Sequence, residues 1–401
     1  MKTTHFLLLF LSFILLFSGY GKIETGKVNL NGRVLYVGGS GPNNYTSIQD
    51  AIDDALPGDT IFVYSGVYYE NVRVYKSINL IGENEETTII DGRNESNVTV
   101  FSIEADNVKF SHFTVRNAPG GEWVRGVLVK DANNVSISNC RILHSEGFSI
   151  CDSANVYIEN CNISHNLYGI DLINHEMNNR SYKIIVRNCT FMYNYAKKED
   201  EWYVGGGFGI SMVFFKVLAD VTIENCRIFH NGEGIGISDP ASLLISNCTV
   251  IDYNISGIGV GGDLHINSDC IISNCSVLNG YIGIGIGRVN ATVKNCYVAG
   301  NIFGIDISHS AGRVTVRYNT VVNNTYGIYV FGKMLSHHIN YNNIYDNEFG
   351  LKAEFTIVDA RYNYWGSPLG PSHLFGFRGD KIETFFAKVI YFPWLTEECD
   401  Q

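Results

Sequence analysis

The sequence predicts an all-β chain wound as one parallel β-helix of about 11–13 coils, closed by a short N-terminal cap helix and a C-terminal cap. Three observations carry that expectation. The composition is rich in Gly, Val, Ile, Tyr and Phe, with 7 prolines and only 17% charged residues in 401, which argues for strands and against disorder or coiled coil. A repeat runs through most of the chain, with a step too short to hold a crossover helix. Two strand motifs advance together in every step, so the strands stack coil on coil.

The elements follow in order along the chain. Residues Phe6 to Phe17 form an apolar run behind Lys2 and His5, too short for the ~20 residues of a membrane span. It reads as a signal peptide over 1–21, with Gly19 and Gly21 before a cut at Lys22. The mature chain is therefore expected to be exported, to the cell surface, the extracellular space or a periplasm, with no transmembrane span. Twelve Asn-x-Ser/Thr sequons, including Asn44, Asn94, Asn97, Asn254 and Asn323, fit a surface glycoprotein. Over 22–60 comes an initial strand and then YTSIQDAIDDALPGDTI (45–61), where Ile48, Ala51, Ile52 and Ala55 keep helical spacing. Thr46 or Ser47 can cap that helix, and Pro57-Gly58 ends it.

The solenoid is expected over 61–366. Its first motif recurs as VKFSHF (108–113), VSISNC (135–140), VYIENC (156–161), IIVRNC (184–189), VTIENC (221–226), LLISNC (243–248), CIISNC (270–275), ATVKNC (291–296), VTVRYN (314–319), HHINYN (337–342) and VDARYN (358–363). Successive copies lie 21 to 23 residues apart, with insertions that stretch some steps to 37. The second motif is the GIDL type, as at 169, 234, 257, 283 and 304. Apolar residues alternate in both, so one face of each strand is buried. The final motif position runs from Phe113 through seven cysteines to Asn319, Asn342 and Asn363, so it points inward; the residue before it marks a turn. The asparagines can pair along the stack. The cysteines read as a column of small buried thiols in which some bridging is conceivable, with Cys399 a loose extra. A C-terminal cap is expected over 367–401, where FFAKVIYFPWL (385–395) can lay a last strand and an aromatic plug.

The segment TSIQDAIDDALPGDTIFVYSGVYYENVRVYKSINLIGENEETTIIDG (46–92), the repeated motifs and NYWGSPLGPS (363–372) with FPWL (392–395) resemble the right-handed parallel β-helix proteins of the carbohydrate-binding and sugar-hydrolase type. They are similar in particular to the exported family typified by the copper-binding accessory protein of nitrous oxide reductase. The likeness implies a single-stranded, right-handed, pectate-lyase-like solenoid over nearly all of the mature chain. It implies no activity by itself. Pectin methylesterase chemistry is excluded because Gln49 and Gln401 are the only glutamines, and the polygalacturonase motifs are absent. YGIDLINH (168–175) and FGIDISH (303–309) look like an alginate epimerase or lyase motif that has lost its proline.

Three sets of residues are candidate sites. The outward column of the second motif runs Leu128, Ser149, Asp171, Ser211, Gly236, Gly259, Gly285, Asp306, Tyr329, Lys352. Gly236, Gly259 and Gly285 leave a bare floor bordered by Asp171, Asp306 and Tyr329, with Trp202 on a longer connection as a wall, a surface suited to a sugar chain. The bland reading is that glycine eases coil packing. Asp171 and Asp306 are five coils apart, about 24 Å, too far for a glycosidase pair. The turn after that strand gathers Asp239, Asp263, His265, Arg288 and His309; these can supply base, acid and a neutraliser of a uronate carboxylate. Solvated charged turn residues are the plainer reading. Third, His144, His165 and His230 share one turn position with Tyr193 and Asp252, but no third ligand completes a metal site there.

The net charge of −11 excludes a partner held by phosphate contacts, so no nucleic acid is expected. The expected partner is a polysaccharide or glycan, which the protein binds and, if an enzyme, processes as a lyase, epimerase or glycoside hydrolase. The alternatives are a non-catalytic structural or adhesive rod and a metal or cofactor accessory protein. The sequence names no cofactor and no oligomeric state.

Overall fold

Each central coil lays one strand on each of three parallel sheets, and the turns between them fix the shape. The computed structural model describes residues 32–92, 98–118, 124–173, 181–195, 207–214, 218–262, 268–308, 312–332, 336–372 and 379–400. Residues 1–21, expected to be a signal peptide, and the sequons Asn94 and Asn97 lie outside these. Sheet A has 15 strands from Val34–Val37 to Lys388–Ile390, sheet B has 12 from Gly66–Tyr68 to Asn343–Tyr345, and sheet C has 14 between Val72–Val74 and the edge strand Pro371–Ser372. The chain passes A, B, C and returns to A one coil on. Among the described residues no helix is long and apolar enough to cross a membrane.

The register explains why the motif repeats. On sheet A, Ile137 pairs with Ile158, then Val186, Ile223, Ile245, Ile272, Val293, Val316 and Ile339 without slippage. All of these are buried. A one-residue slip would turn the whole column to solvent, so alternation fixes the pairing. At about 2 kcal/mol for each buried Val or Ile side chain, these columns are the main source of stability.

From the third coil on, the A-to-B corner takes a residue in the left-handed region, and the sequence supplies one at each rung. His112, Asn139, Asn160, Asn188 and Tyr318 have φ of 63, 51, 54, 53 and 57°. Asparagine tolerates that region better than most residues. The next residue turns inward: Cys140, Cys161, Cys189, Cys226, Cys248, Cys275 and Cys296 are buried, and all ten cysteines are free thiols. Each thiol of the column donates to the carbonyl two residues before it, as Cys189 to Arg187 O at 3.1 Å. The neighbouring Cys189 thiol, followed by burial, pushes Cys226 up to about 12. Cys399 is not loose: its N–H and carbonyl both bond the Asn343 amide, at 2.8 and 3.1 Å.

Asparagine replaces cysteine at Asn319, Asn342 and Asn363, where each Oδ1 accepts the backbone N–H of the preceding rung, at 2.9 to 3.0 Å. A second amide column sits at the B-to-C corner, five residues after the first, in Asn166, Asn194, Asn231, Asn301, Asn324 and Asn347. Tyr253 and Gly280 interrupt it. The Tyr253 ring fills the space a Gly280 side chain would take, and its hydroxyl donates to Asn301 Oδ1 at 2.6 Å.

Asp380 ends this column, accepting from Asn347 N and Nδ2 at 3.0 and 2.7 Å. Burial pushes its carboxyl up to about 6. The folded chain then holds a proton more tightly than the unfolded one, so this stabilisation is complete below pH ~4 and is lost as pH rises through about 6. Asp380→Asn keeps the acceptor without the charge. Denaturant titrations are expected to show the variant about 2 kcal/mol more stable than the parent at pH 7.5 and equal to it near pH 4.

Both ends are closed. Helix α1 (Ile48–Asp54) buries Ile48, Ala51 and Ile52. Ser47 rather than Thr46 caps it, accepting from Asp50 N, while Glu70 takes the free N–H groups of Ile48 and Gln49 at 2.9 and 3.0 Å. At the far end Trp365 is wholly buried, strand Gly379–Phe385 extends sheet C beneath its edge strand Pro371–Ser372, and Lys388–Ile390 adds the last rung of sheet A.

Candidate functional site

The outward column of sheet C follows the register the sequence implies and extends beyond it. It runs Arg73, Ser102, Leu128, Ser149, Asp171, Ser211, Gly236, Gly259, Gly285, Asp306, Tyr329, Lys352, Glu383. Where it is bare, a groove of about 370 Å³ opens, walled by Phe208, Glu233, Ser256, Ile282 and Asp306. Gly261 and Gly287 widen its floor.

The glycines here are of two kinds, and the difference decides between packing and function. The first glycine of each GIxI strand faces the carbonyl of its counterpart one coil on. A Cβ on Gly209, Gly257 or Gly327 would lie 2.8 Å from that oxygen, and one on Gly234, Gly283 or Gly304 closer still. Those glycines are obligatory. A Cβ on Gly236 would meet nothing nearer than Glu233 Oε1 at 3.8 Å, and one on Gly285 only Ile282 Cγ2 at 3.4 Å. At Gly259 the nearest atom is the Ser256 hydroxyl oxygen at 3.0 Å, a side chain that can turn away. Coil packing does not require these outward glycines.

The rims carry the chemistry. Glu233 opens its strand and leans over the floor, with Oε1 3.8 and 3.9 Å from the Cβ positions of Gly236 and Gly259. Burial raises its carboxyl above the usual range. At the C-terminal end, Phe303 and Tyr326 stack at 5.0 Å, Tyr326 and Phe349 stack at 5.2 Å, and Tyr329 lies 5.4 Å from Phe303. Lys352 sits 5.2 Å over the Tyr326 ring and is paired with Glu354 at 3.2 Å. Burial, then the Glu354 charge, pushes Tyr329 up to about 12. Tyr168 and Phe208 stack at 6.2 Å at the opposite end.

The sequence-derived residues divide cleanly. Asp171, Gly236, Gly259, Gly285, Asp306 and Tyr329 share the one outward column. Glu233 hangs midway between Gly236 and Gly259, so Asp171 and Asp306 each lie about two and a half coils from it, ~12 Å along the axis. That exceeds the ~5–9.5 Å of paired glycosidase carboxylates, so these three do not make such a pair. Asp239 and Arg288 occupy the C-to-A corner in the left-handed region, with φ of 58° each. Ser238 pairs with Gly261, which puts Gly262 level with Asp239. Asp239 and Arg288 are thus two rungs apart. Asp263, His265, His309 and Trp202 lie outside the described residues.

The third set forms a continuous stack: His144 to His165 at 5.4 Å, His165 to Tyr193 at 5.3 Å, Tyr193 to His230 at 5.1 Å, and His230 Nδ1 to Asp252 at 3.2 Å. Among the described residues no group of three or more His, Cys, Asp or Glu side chains is placed to hold a metal ion. The structure adds Glu233 and Phe208 to the groove lining, and Phe303 and Tyr326 to the aromatic cluster around Tyr329 beyond its end. Their signal was the residue that opens each sheet C strand: Phe208, Glu233, Ser256, Ile282, Phe303, Tyr326, Phe349, with a single acid among mostly apolar residues.

The right-handed β-helix region matches the chain twice, over residues 60–213 and 186–349. The chain belongs to that family. No curated protein matches it. Among solved structures, the Siphovirus 9NA tailspike receptor binding domain is similar at a TM-score of 0.53 and 11% identity, over 92% of this chain and 77% of that one. The A-module of the Azotobacter vinelandii mannuronan C-5 epimerase AlgE6 is similar at 0.48 and 14%, over 85% and 93%. Pectate lyase Pel9A is similar at 0.43 and 14%, over 93% and 83%. At these identities the likeness is one of fold.

Proposed function

We propose that the protein is an exported glycan-binding β-helix, and that a polysaccharide lies along the sheet C groove, crossing Gly236, Gly259 and Gly285 toward Tyr329. The observation that carries this reading is the floor itself. Glycine in a strand interior weakens it, and here no packing need accounts for three in a row. Bare backbone lets a sugar ring approach closely, and the Phe303, Tyr326 and Tyr329 rings offer an apolar edge of the kind that sugar faces pack against. Aromatic and charged side chains beside a bare floor favour a binding surface over a plain spacer rod. The separation of Glu233 from Asp171 and Asp306 favours binding over hydrolysis by a carboxylate pair.

Retention on a panel of immobilised neutral, amino and uronate polysaccharides tests the proposal, with reducing ends and unsaturated products assayed in parallel. The expected result is retention without products, weakened about tenfold by Tyr329→Ala, the loss of one aromatic contact. Products that disappear in Asp263→Ala or His309→Ala would transfer the chemistry to the C-to-A corner. Retention of no polymer would leave the rod reading.

A further inference from the structure

The ionisable side chains that line the groove are acids: Glu233 over the middle and Asp306 at one end. Asp171 stands just beyond the other end, one rung from Ser211 on the same outward column. No Lys or Arg is among the residues lining the groove. Two described cations on that face, Arg125 and Lys352, are matched by carboxylates. Arg125 is bonded to Glu146 at 2.6 Å and to the Ser149 hydroxyl at 2.6 Å. Lys352, two rungs beyond Asp306, is held by Glu354 and Glu383 at 3.2 and 3.9 Å. A chain carrying carboxylates would set like charges against this line in a half-desolvated groove, where repulsion is only weakly screened. The three acids do not form a metal site, because carboxylates ~12 Å apart cannot share one cation at the 2.0–2.6 Å that such ligands require. A polymer with amino groups recurring along its length meets all three in turn.

We infer that the groove selects a glycan bearing free amino groups over its N-acetylated or uronate counterparts. This rests on the reading of the groove as a glycan site and deepens it by assigning the charge of the ligand. It differs from the expectation that Arg288 would neutralise a uronate: Arg288 follows the lining residue Gly287 at the corner and is not itself among the residues lining the groove.

The test is a titration of the full mature chain with glucosamine, N-acetylglucosamine and galacturonate oligomers of equal length, at low and high salt. The expected order is glucosamine at least tenfold tighter than N-acetylglucosamine, with galacturonate weakest and the preference shrinking as salt rises. Glu233→Gln is expected to cut the glucosamine to N-acetylglucosamine ratio several-fold. Asp220→Asn, which removes an acid from the exposed face of sheet A, is expected to leave that ratio unchanged. Equal binding of the first two oligomers, or tighter binding of galacturonate, overturns the amino-glycan assignment and leaves the groove reading standing. Binding of none of the three, with retention of some neutral polymer on the panel, also overturns the assignment alone. Retention of nothing removes the groove reading and this inference together.

Discussion

Gly236→Val is expected to fold as well as the parent and to lose glycan binding, while Gly234→Val, two residues away, fails to fold stably. A valine at 236 points its branched side chain into the open groove, where the nearest atom to its Cβ is 3.8 Å away. Valine suits a strand better than glycine by up to ~1 kcal/mol, so the denaturation midpoint should hold or rise. The added methyls stand where a sugar ring would lie. At 234 the Cβ would overlap the Gly257 carbonyl oxygen and crowd Val250 Cγ1, at 2.6 Å. That oxygen belongs to the next coil's backbone and cannot yield without breaking the ladder. Overpacking of this kind typically costs about 1–3 kcal/mol, and more where backbone must move; the expected loss is at least ~3 kcal/mol. Urea titrations of both variants with one retention assay check the pair. Equal destabilisation by the two substitutions would mean that the outward glycines are structural after all.

Asn324→Ala is expected to be the most damaging change in the amide column. Its Nδ2 shares its two hydrogens among Val298 O, Val322 O and Asn347 Oδ1, at 3.1, 3.0 and 3.0 Å. Its Oδ1 accepts from Asn301 N and Nδ2, both at 3.0 Å. Truncation would strand these groups in the interior, where water does not reach, at about 1–3 kcal/mol each before relaxation. A net loss of about 4 kcal/mol is expected, against less than 1 kcal/mol for the exposed corner residue Asn323→Ala. Hydrogen exchange is the sharper readout, because the opening should be centred on the coils around 298–347. Because stacked coils contact only their neighbours, the damage should spread little beyond them.

How much of this was readable from residues alone depends on whether a position repeats. The seven-cysteine column, the Asn319–Asn342–Asn363 ladder and the outward column of sheet C recur in register, so period and alternation placed them. The second amide column recurs just as regularly, five residues on, but Tyr253 and Gly280 interrupt it and hide the pattern. Glu233 could not stand out from a motif that begins one residue later, at Gly234. The two kinds of glycine are identical as letters. Only the distance from a notional Cβ to the next coil tells Gly234, which must be glycine, from Gly236, which need not be.

The central claim is that the bare strip of sheet C is where a glycan lies. The most direct measurement is a crystal structure of the mature chain soaked with an amino-sugar hexasaccharide. The account predicts continuous sugar density crossing Gly236, Gly259 and Gly285, with Glu233 beside an amino group and a ring against Tyr329. Sugar bound instead at the exposed Tyr318, Tyr341 and Tyr362 corner, with the strip left to water, would contradict it.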